Sequence, residues 1–177
     1  MTVAEFEQFL EAYERDVFTF CKHLTMNHHT ASDDLYQETA LAAFEMIDRI
    51  DPEQNPKSFL FAIAAGKWKN MRRKALRRQT IAPETQLEEW TNTSVAGNNP
   101  TEEATQRSLM QEAIGKAIAE MKDKFRIPLI LYYFDDYQME TIAEICGIPV
   151  GTAKSRLHKA RDLLKKALLK EGFTYGN

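Results

Sequence analysis

The chain has 177 residues, of which 44% are hydrophobic and 28% are charged, and its formal net charge is −3. This balance is typical of a globular protein and excludes a disordered or fibrous one. No apolar run approaches the ~18 residues that a membrane span requires, and the acidic N-terminus does not resemble a signal peptide, so we expect a cytoplasmic protein. Cys21 and Cys146 lie far apart on apolar helical faces, and we expect both to be buried free thiols.

The charges are distributed in four blocks of alternating sign. Residues 1–56 hold twelve acids against three bases, whereas residues 57–83 hold eight bases and no acid. Residues 84–147 hold twelve acids against five bases, and residues 148–177 hold seven bases against two acids. Two basic blocks in an otherwise acidic chain indicate two separate contacts with phosphate.

The first part of the chain predicts three helices. Thr2 and Glu5 fit a capping box at the start of the first helix. The second helix is predicted to be capped by Thr30 or Ser32, with acids in its first turn, where the helix dipole favours them. The third begins at Pro56, after the turn DPEQNP, and ends in the basic run KNMRRKALRR.

The remainder predicts a linker and a second helical unit. The first unit, residues 1–78, is followed by residues 79–106, which lack a helical period and contain two prolines and the turn cluster AGNNP. This composition indicates a flexible linker, in which Trp90 is the unusual residue. Helical periodicity returns in residues 107–177. The predicted fold is therefore all-α, with two small helical domains joined by the linker.

The last unit ends in a helix-turn-helix pattern, QMETIAEICGIPVGTAKSRLHKARDLLKKALL, over residues 138–169. Gly147 stands at the turn, where glycine adopts a left-handed conformation without steric cost. Beyond Pro149, apolar side chains recur every three or four residues, as on the buried face of a helix. The other side of this helix carries the donors and cations that a helix in a DNA major groove requires. These residues are Gly151, Thr152, Lys154, Ser155, Arg156, His158 and Lys159.

Taken together, these motifs resemble a known family. FRIPLILYYFDDYQMETIAEICGIPVGTAKSRLHKARDLLKKAL closely resembles the fourth conserved region of bacterial sigma factors, in particular those of the extracytoplasmic-function group. ASDDLYQETALAAFEMI is similar to the polymerase-binding helix of the second sigma region, and PKSFLFAIAAGKWKNMRRKALRR is similar to its promoter-melting segment. The resemblance covers nearly the whole chain, in the family's order and with the right gap.

The resemblance implies a role in transcription initiation. In the family, the acidic helix of the second region grips the coiled coil on the clamp of the largest subunit of core RNA polymerase. Complementary charge around a leucine anchor suits such a helix-to-helix contact. The residues expected to make it are Asp33, Asp34, Leu35, Gln37 and Glu38.

Two promoter contacts are implied as well. The family melts DNA by capturing flipped bases of the minus-ten element in a pocket of apolar walls and hydrogen-bond partners. The residues expected at this pocket are Gln54, Asn55, Lys57, Ser58 and Phe59, and the minus-ten residues expected to neutralise phosphates are Lys67, Lys69, Arg72, Arg73 and Arg77. The helix-turn-helix residues named above are expected on the minus-thirty-five element, with Lys124 and Arg126 as further phosphate contacts. Trp68 lies in an apolar stripe, which favours core packing over stacking on a base.

The expected partners follow from the same resemblance. The family is usually held inactive by an anti-sigma factor, often membrane-anchored, that wedges between the two domains. No phosphate-binding glycine loop, nucleophile elbow or carboxylate pair indicates an enzyme, and we expect neither a cofactor nor a small-molecule substrate. Cys21, His23, His28 and His29 match no common zinc spacing, so no metal site is predicted.

Two points stay open on the residues alone. A helix-turn-helix regulator that acts without core polymerase would account for residues 107–170, although not for the acidic helix and the basic segment before it. The sequence also leaves open whether the two units pack together or stay apart.

Overall fold

The computed structural model describes residues 2–51, 54–81 and 102–174. Within these ranges the chain is built from α-helices and one short 3-10 turn, without a strand, which confirms the all-α prediction. The helices are α1 (Val3–Leu24), α2 (His29–Glu45), α3 (Pro56–Ile81), α4 (Glu102–Glu120), α5 (Asp123–Tyr133), α6 (Met139–Cys146) and α7 (Val150–Lys170).

Helices α3 and α4 extend into both ends of the predicted linker. Helix α3 continues to Ile81 and α4 begins at Glu102, so part of residues 79–106 is helical. The rest of that segment, with Trp90, lies outside the described residues.

The N-terminal caps of α1 and α2 show which of the predicted capping residues form hydrogen bonds to the helix backbone. The capping box on α1 forms as predicted: Glu5 N donates to Thr2 Oγ1 at 3.3 Å and Thr2 N donates to Glu5 Oε2 at 2.7 Å. The cap of α2 is instead His28, whose Nδ1 accepts from Ala31 N at 3.2 Å. The predicted caps Thr30 and Ser32 therefore lie inside the helix.

Helices α1, α2 and α3 pack on one another and form the first unit. Phe20 of α1 stacks on Phe61 of α3, with ring centroids 4.4 Å apart and nearly parallel planes. Leu35 of α2 and Trp68 of α3 are buried in the same core, so the prediction that Trp68 packs in the core is confirmed.

Helices α4 to α7 form the second unit, which contains the predicted helix-turn-helix. Helix α6 ends at Gly147, which has a φ of +62°, and Ile148 N donates back to Ala143 O at 3.0 Å. This is the closure by which a left-handed glycine ends a helix and reverses the chain. Pro149 then precedes α7, whose buried side chains Ala153, Leu157 and Ala160 recur every three or four residues.

The two units pack against each other, α6 on α3 and α5 on α1. Their buried side chains form one continuous apolar cluster, in which Phe61 of the first unit meets Tyr137 of the second at 5.5 Å between ring centroids. The sequence did not decide whether the two units pack together, and the structure shows that they do. Among the described helices, none combines the length and apolar character needed to cross a bilayer.

Both cysteines are free thiols, as predicted. Cys21 is buried, and burial raises the pKa of its thiol to about 12, although a hydrogen bond from Thr39 opposes the change. Cys146 is partly exposed as a residue, but burial of its thiol raises the pKa to about 11, against the opposing effect of Lys69 and Arg156.

Replacing Gly147 tests the turn of the helix-turn-helix. A Cβ at this position meets no atom within 4 Å, so Gly147→Ala adds only the strain of a left-handed L-residue. We expect it to lower the free energy of unfolding by about 1 kcal/mol in urea titrations. Gly66→Ala is the matched control, because Gly66 has equal space inside α3 and alanine is the better helix former there. An equal gain in stability from both variants would contradict the assignment.

The raised thiol pKa values predict slow alkylation of the native protein. Because the thiolate is the reactive form, at pH 8 a thiol with a pKa of about 11 offers roughly a hundredfold less thiolate than an ordinary cysteine. We expect the rate of reaction with iodoacetamide to rise about tenfold per pH unit up to pH 10. The urea-unfolded chain is the control, and its rate should level off near pH 9. A native rate that levels off there too would contradict the prediction.

Candidate nucleic-acid interface

The exposed face of α2 carries the acidic residues predicted to bind polymerase. Asp34, Gln37 and Glu38 are exposed, whereas Asp33 is half-buried and pairs with His29 at 2.9 Å. Glu38 also accepts a hydrogen bond from Lys67 Nζ at 3.1 Å. The carboxylates of this face are thus available to a partner, with one of them paired to a lysine of α3.

Leu35 requires a correction. It is 0% exposed and belongs to the core of the first unit, so it cannot anchor a partner helix. Its place follows from the spacing of the buried side chains of α2, which include Ala31, Leu35 and Ala42. The exposed leucine on this helix is Leu41, at 57%. Its position three residues after Glu38 was the signal that sequence reasoning missed.

The loop before α3 turns its polar residues toward the second unit. Gln54 and Asn55 are exposed, and Asn55 has a φ of +46°. Asn55 Nδ2 donates to Glu144 Oε2 of α6 at 3.2 Å, and its Oδ1 accepts from Ser58 N at 3.5 Å. Ser58 is only 2% exposed, so the expectation that it contacts a base is not met in this arrangement. Phe59 is half-buried against the core.

Lys57 is held between the units. Its Nζ pairs with Asp16 at 2.7 Å and lies 5.8 Å and 5.5 Å from the ring centroids of Phe61 and Tyr137. Desolvation is the largest single influence and acts to lower the pKa of Lys57, but the hydrogen bonds and charges of Asp16 and Tyr137 together outweigh it, and the pKa is raised. The lysine is therefore charged, and its charge is already partnered.

Some of the basic side chains of α3 are exposed to solvent, and Arg72 contacts the second unit. Lys69, Arg73 and Arg77 are exposed, and Arg73 bonds only to its neighbour Asn70 among the hydrogen bonds seen in the described chain. Arg72 is different. Its Nη1 donates to Asp123 Oδ1 at 2.7 Å and to Met121 O at 2.9 Å, and its Nη2 donates to Ala119 O at 3.1 Å. The expectation that Arg72 is available to DNA is corrected: all three acceptors belong to the second unit.

Arg126 was expected to contact phosphate, but it lies in the contact between the two helical units. It is 2% exposed, donates to Leu24 O of α1 and to Ala119 O, and lies over the Trp68 ring at 4.9 Å. Trp68 Nε1 in turn donates to Asp123 Oδ1 at 3.2 Å. Burial, reinforced by the charge of Arg72, lowers the pKa of Arg126 to about 9, so the guanidinium is still charged at pH 7.

The recognition helix α7 presents its predicted residues on one face. Gly151, Lys154, Ser155, His158 and Lys159 are exposed, and Thr152 and Arg156 are half-buried on its flanks. Lys124 is exposed near the start of α5. The predicted residues of α7 thus share one face that is exposed at its centre, Lys124 is exposed on α5, and only Arg126 is buried.

Arg161 is not among the residues that the sequence predicts to bind DNA, but the structure gives it specific neighbours. Its guanidinium lies 5.2 Å and 5.4 Å from the ring centroids of Tyr132 and Tyr133 at the end of α5. Seven residues after Lys154, it falls on the same face of α7. The spacing alone would have placed Arg161 on the basic face of α7. Its contact with the two tyrosines of α5 could be seen only in the folded structure.

The cysteine and histidines considered for metal binding do not form a site. Cys21 is buried in the core, His28 caps α2, and His23 Nδ1 lies 3.2 Å from Asp135 Oδ1 of the second unit. Across residues 2–51, 54–81 and 102–174, no group of three or more His, Cys, Asp or Glu side chains is placed to hold a metal ion.

Comparison with known proteins identifies the family. Residues 9–78 match the model of Sigma-70 region 2, and residues 111–164 match that of Sigma-70 region 4. SigW of Bacillus subtilis, an ECF RNA polymerase sigma factor, is 30% identical over 92% of this chain and 88% of its own length. EcfG of Rhodopseudomonas palustris, from the same group, is 32% identical over 80% of this chain and 73% of its own length.

Solved structures agree with this assignment. The sigma factor RpoE in complex with the anti-sigma factor NepR, from Bartonella quintana, superposes with a TM-score of 0.68 at 26% identity, covering 94% of this chain and 98% of that one. CnrH in complex with the cytosolic domain of CnrY shares the fold, with a TM-score of 0.61 at 17% identity over 94% of this chain and 89% of that one. The chain therefore belongs to the extracytoplasmic-function group of sigma-70 RNA polymerase sigma factors.

Proposed function

We propose that this sigma factor binds core RNA polymerase through α2 and directs it to a two-part promoter through α3 and α7. The observation that carries the proposal is the presence on one chain of two different exposed surfaces. One is the acidic face of α2 with Leu41, and the other is the basic face of α7. A protein that only bound DNA would have no use for the first surface.

The polymerase contact is proposed on Asp34, Gln37, Glu38 and Leu41. These side chains recur at intervals of three and four residues along the exposed side of α2. An exposed leucine bordered by carboxylates suits an apolar anchor with a polar rim, which is how helices commonly dock on a partner helix. The proposed partner is the coiled coil on the clamp of the largest polymerase subunit.

The minus-thirty-five contact is proposed on the exposed face of α7. Lys154, Lys159 and Arg161 supply positive charge for phosphates, while Ser155 and His158 supply hydrogen-bonding groups for base edges. Arg161, whose guanidinium lies over the rings of Tyr132 and Tyr133, extends the proposed contact beyond the residues that the sequence suggested.

The minus-ten contact is proposed on the loop before α3 and on the cations of α3. Lys69, Arg73 and Arg77 are exposed for phosphates, and Gln54 and Asn55 offer amides to flipped bases. Melting of this kind needs no catalytic group, because binding of the flipped bases offsets the loss of stacking. The chain is accordingly proposed to act without catalysis, cofactor or small-molecule substrate.

Control by an anti-sigma factor is part of the proposal. One of the similar structures is a complex of this kind, that of the sigma factor RpoE with the anti-sigma factor NepR. The close packing of the two units gives such a partner a single body to bind.

The proposal is tested by run-off transcription with purified core RNA polymerase on genomic fragments, with sequencing of the transcript starts. We expect starts that depend on this protein and share two upstream elements. Copurification with core polymerase is the second measurement. A protein that ignores core polymerase and protects a palindromic site alone would instead be a helix-turn-helix regulator.

Leu41→Asp tests the polymerase contact. A charge at the centre of an apolar contact removes its anchor, so we expect the affinity for core polymerase to fall at least about tenfold. The measurement is a fluorescence titration of labelled protein with core enzyme. Leu169→Asp, which changes a comparably exposed leucine at the end of α7, is the matched control and should keep full affinity. Equal losses in both variants would contradict the assignment.

Lys159→Ala tests the distal DNA contact. Loss of one phosphate contact should weaken binding to a distal-element duplex and lower the slope of log K against log salt by about 0.9. The duplex is taken from the promoters found by run-off transcription. Lys116→Ala, on the exposed side of α4, changes the net charge equally and should leave the slope unchanged. A slope that stays the same for Lys159→Ala would exclude a phosphate contact there.

A further inference from the structure

A groove lies between the start of α4 and the end of α7, away from the residues proposed to bind polymerase and DNA. It has a volume of about 390 Å³, a size typical of pockets that hold an organic group. The residues that line this α4–α7 groove are Gln106, Arg107, Met110, Gly172, Phe173 and Thr174. The groove is therefore a candidate docking site outside the surfaces described above.

The turn that ends α7 forms one wall of the groove. Gly172 has a φ of +86°, and its N donates to Leu169 O at 3.2 Å. Phe173 N donates to Leu168 O at 3.0 Å, which completes the pair of hydrogen bonds by which a left-handed glycine closes a helix. The residue after such a glycine commonly folds back on the helix end. The backbone of this turn thus fixes Phe173 at the groove, facing α4.

The chemistry of the groove suits an aromatic side chain with acidic neighbours. Met110 and Phe173 are half-buried and provide apolar walls, and a thioether packs favourably against aromatic rings. Arg107 is exposed and is the one charged residue among the six that line the groove. A guanidinium in this position can lie over an indole ring or pair with a carboxylate.

One segment of the chain has the matching chemistry. Glu88, Glu89 and Trp90 are consecutive in the stretch between α3 and α4. Trp90 lies twelve residues before Glu102, the first residue of α4, and twelve residues reach about 40 Å when extended. Met110 is only about 12 Å along α4 from Glu102, so Trp90 can fold back to the groove. Attachment to α4 also gives Trp90 a high local concentration, so that a weak contact is sufficient.

We propose that Trp90 docks in the α4–α7 groove of its own chain, with the acids that precede it beside Arg107. The docked tryptophan closes residues 91–101 into a loop on the second unit. The stretch that spans the two units then shortens from residues 82–101 to residues 82–89. This docking goes beyond the proposed function, because it takes place in the free chain and needs neither polymerase nor DNA.

Fluorine NMR of the full chain locates Trp90. The chain has two tryptophans, so 5-fluorotryptophan gives two resonances, and Trp90→Phe assigns them. A nitroxide on Lys170→Cys, at the end of α7 near the groove, should broaden the Trp90 resonance. The matched control is a nitroxide on Lys154→Cys, which is also exposed but lies about 24 Å away along α7, and it should leave the resonance sharp. Cys21 and Cys146 react slowly with the label because their thiol pKa values are raised. Equal broadening from the two positions would overturn the proposal.

Met110→Glu tests the groove itself. An unpaired carboxylate on the apolar wall should shift the docking equilibrium at least about tenfold toward the undocked form, so the nitroxide on Lys170→Cys should no longer broaden the Trp90 resonance. Leu109→Glu is the matched control, because it adds the same charge to a neighbouring side chain that is 55% exposed and does not line the groove. Far-UV circular dichroism checks that both variants are folded. A Trp90 resonance that is equally broad in the two variants would contradict docking in this groove.

Mixing separates docking within one chain from docking between copies. Fluorinated chains without a nitroxide are combined with nitroxide-bearing chains without fluorine, and we expect no broadening of the Trp90 resonance. Broadening in the mixture would assign the groove to Trp90 of a second copy and would overturn the proposal. Because these measurements contain neither polymerase nor DNA, their failure leaves the proposed function standing, and failure of run-off transcription leaves the docking standing.

Discussion

Asp123 is the carboxylate on which the arrangement of the two units depends. It accepts hydrogen bonds from an arginine and a tryptophan of the first unit, and it stands at the start of the helix that carries Arg126. Without it, the buried guanidinium of Arg126 and the partly exposed guanidinium of Arg72 would lie near each other without this counter-charge. Loss of Asp123 therefore disfavours the packing of α5 against the first unit.

The same contact shows how the basic helix α3 is accommodated when the two units pack together. The cations of α3 are divided between those that face solvent, such as Lys69 and Arg77, and those matched by the second unit, such as Arg72. The matched cation Arg72 contributes to the contact between the units through donors of the kind that phosphates also accept from.

Local chemistry was predictable from the sequence. The Thr2–Glu5 capping box, the left-handed Gly147 and the buried stripe of α7 depend on residues within a turn or two of each other, and spacing alone identifies them. The burial of Leu35 was also within reach, because its spacing from other apolar residues of α2 places it on the inner face. Leu35 was predicted to contact polymerase from its place in the family motif, although the helical period already placed it on the buried face of α2.

The partners of Arg72 and Arg126 were not predictable in this way. Arg72 finds its acceptors 47 to 51 residues away, and Arg126 reaches a carbonyl 102 residues away. An arginine in a basic run has the same local pattern whether it faces DNA or a distant carboxylate. Only the packing of one unit on the other distinguishes the two outcomes.

Helix α6 has only eight residues, yet its two sides contact different parts of the protein. Ile142, Ala143 and Ile145 hold it in the core of the second unit beside α7, while Glu144 reaches toward the loop before α3. Substitutions at Glu144 can therefore alter the contact with the first unit without disturbing the packing of α7, the helix proposed to read the distal DNA element. One short helix thus separates the contact between the units from the support of the proposed DNA-reading helix.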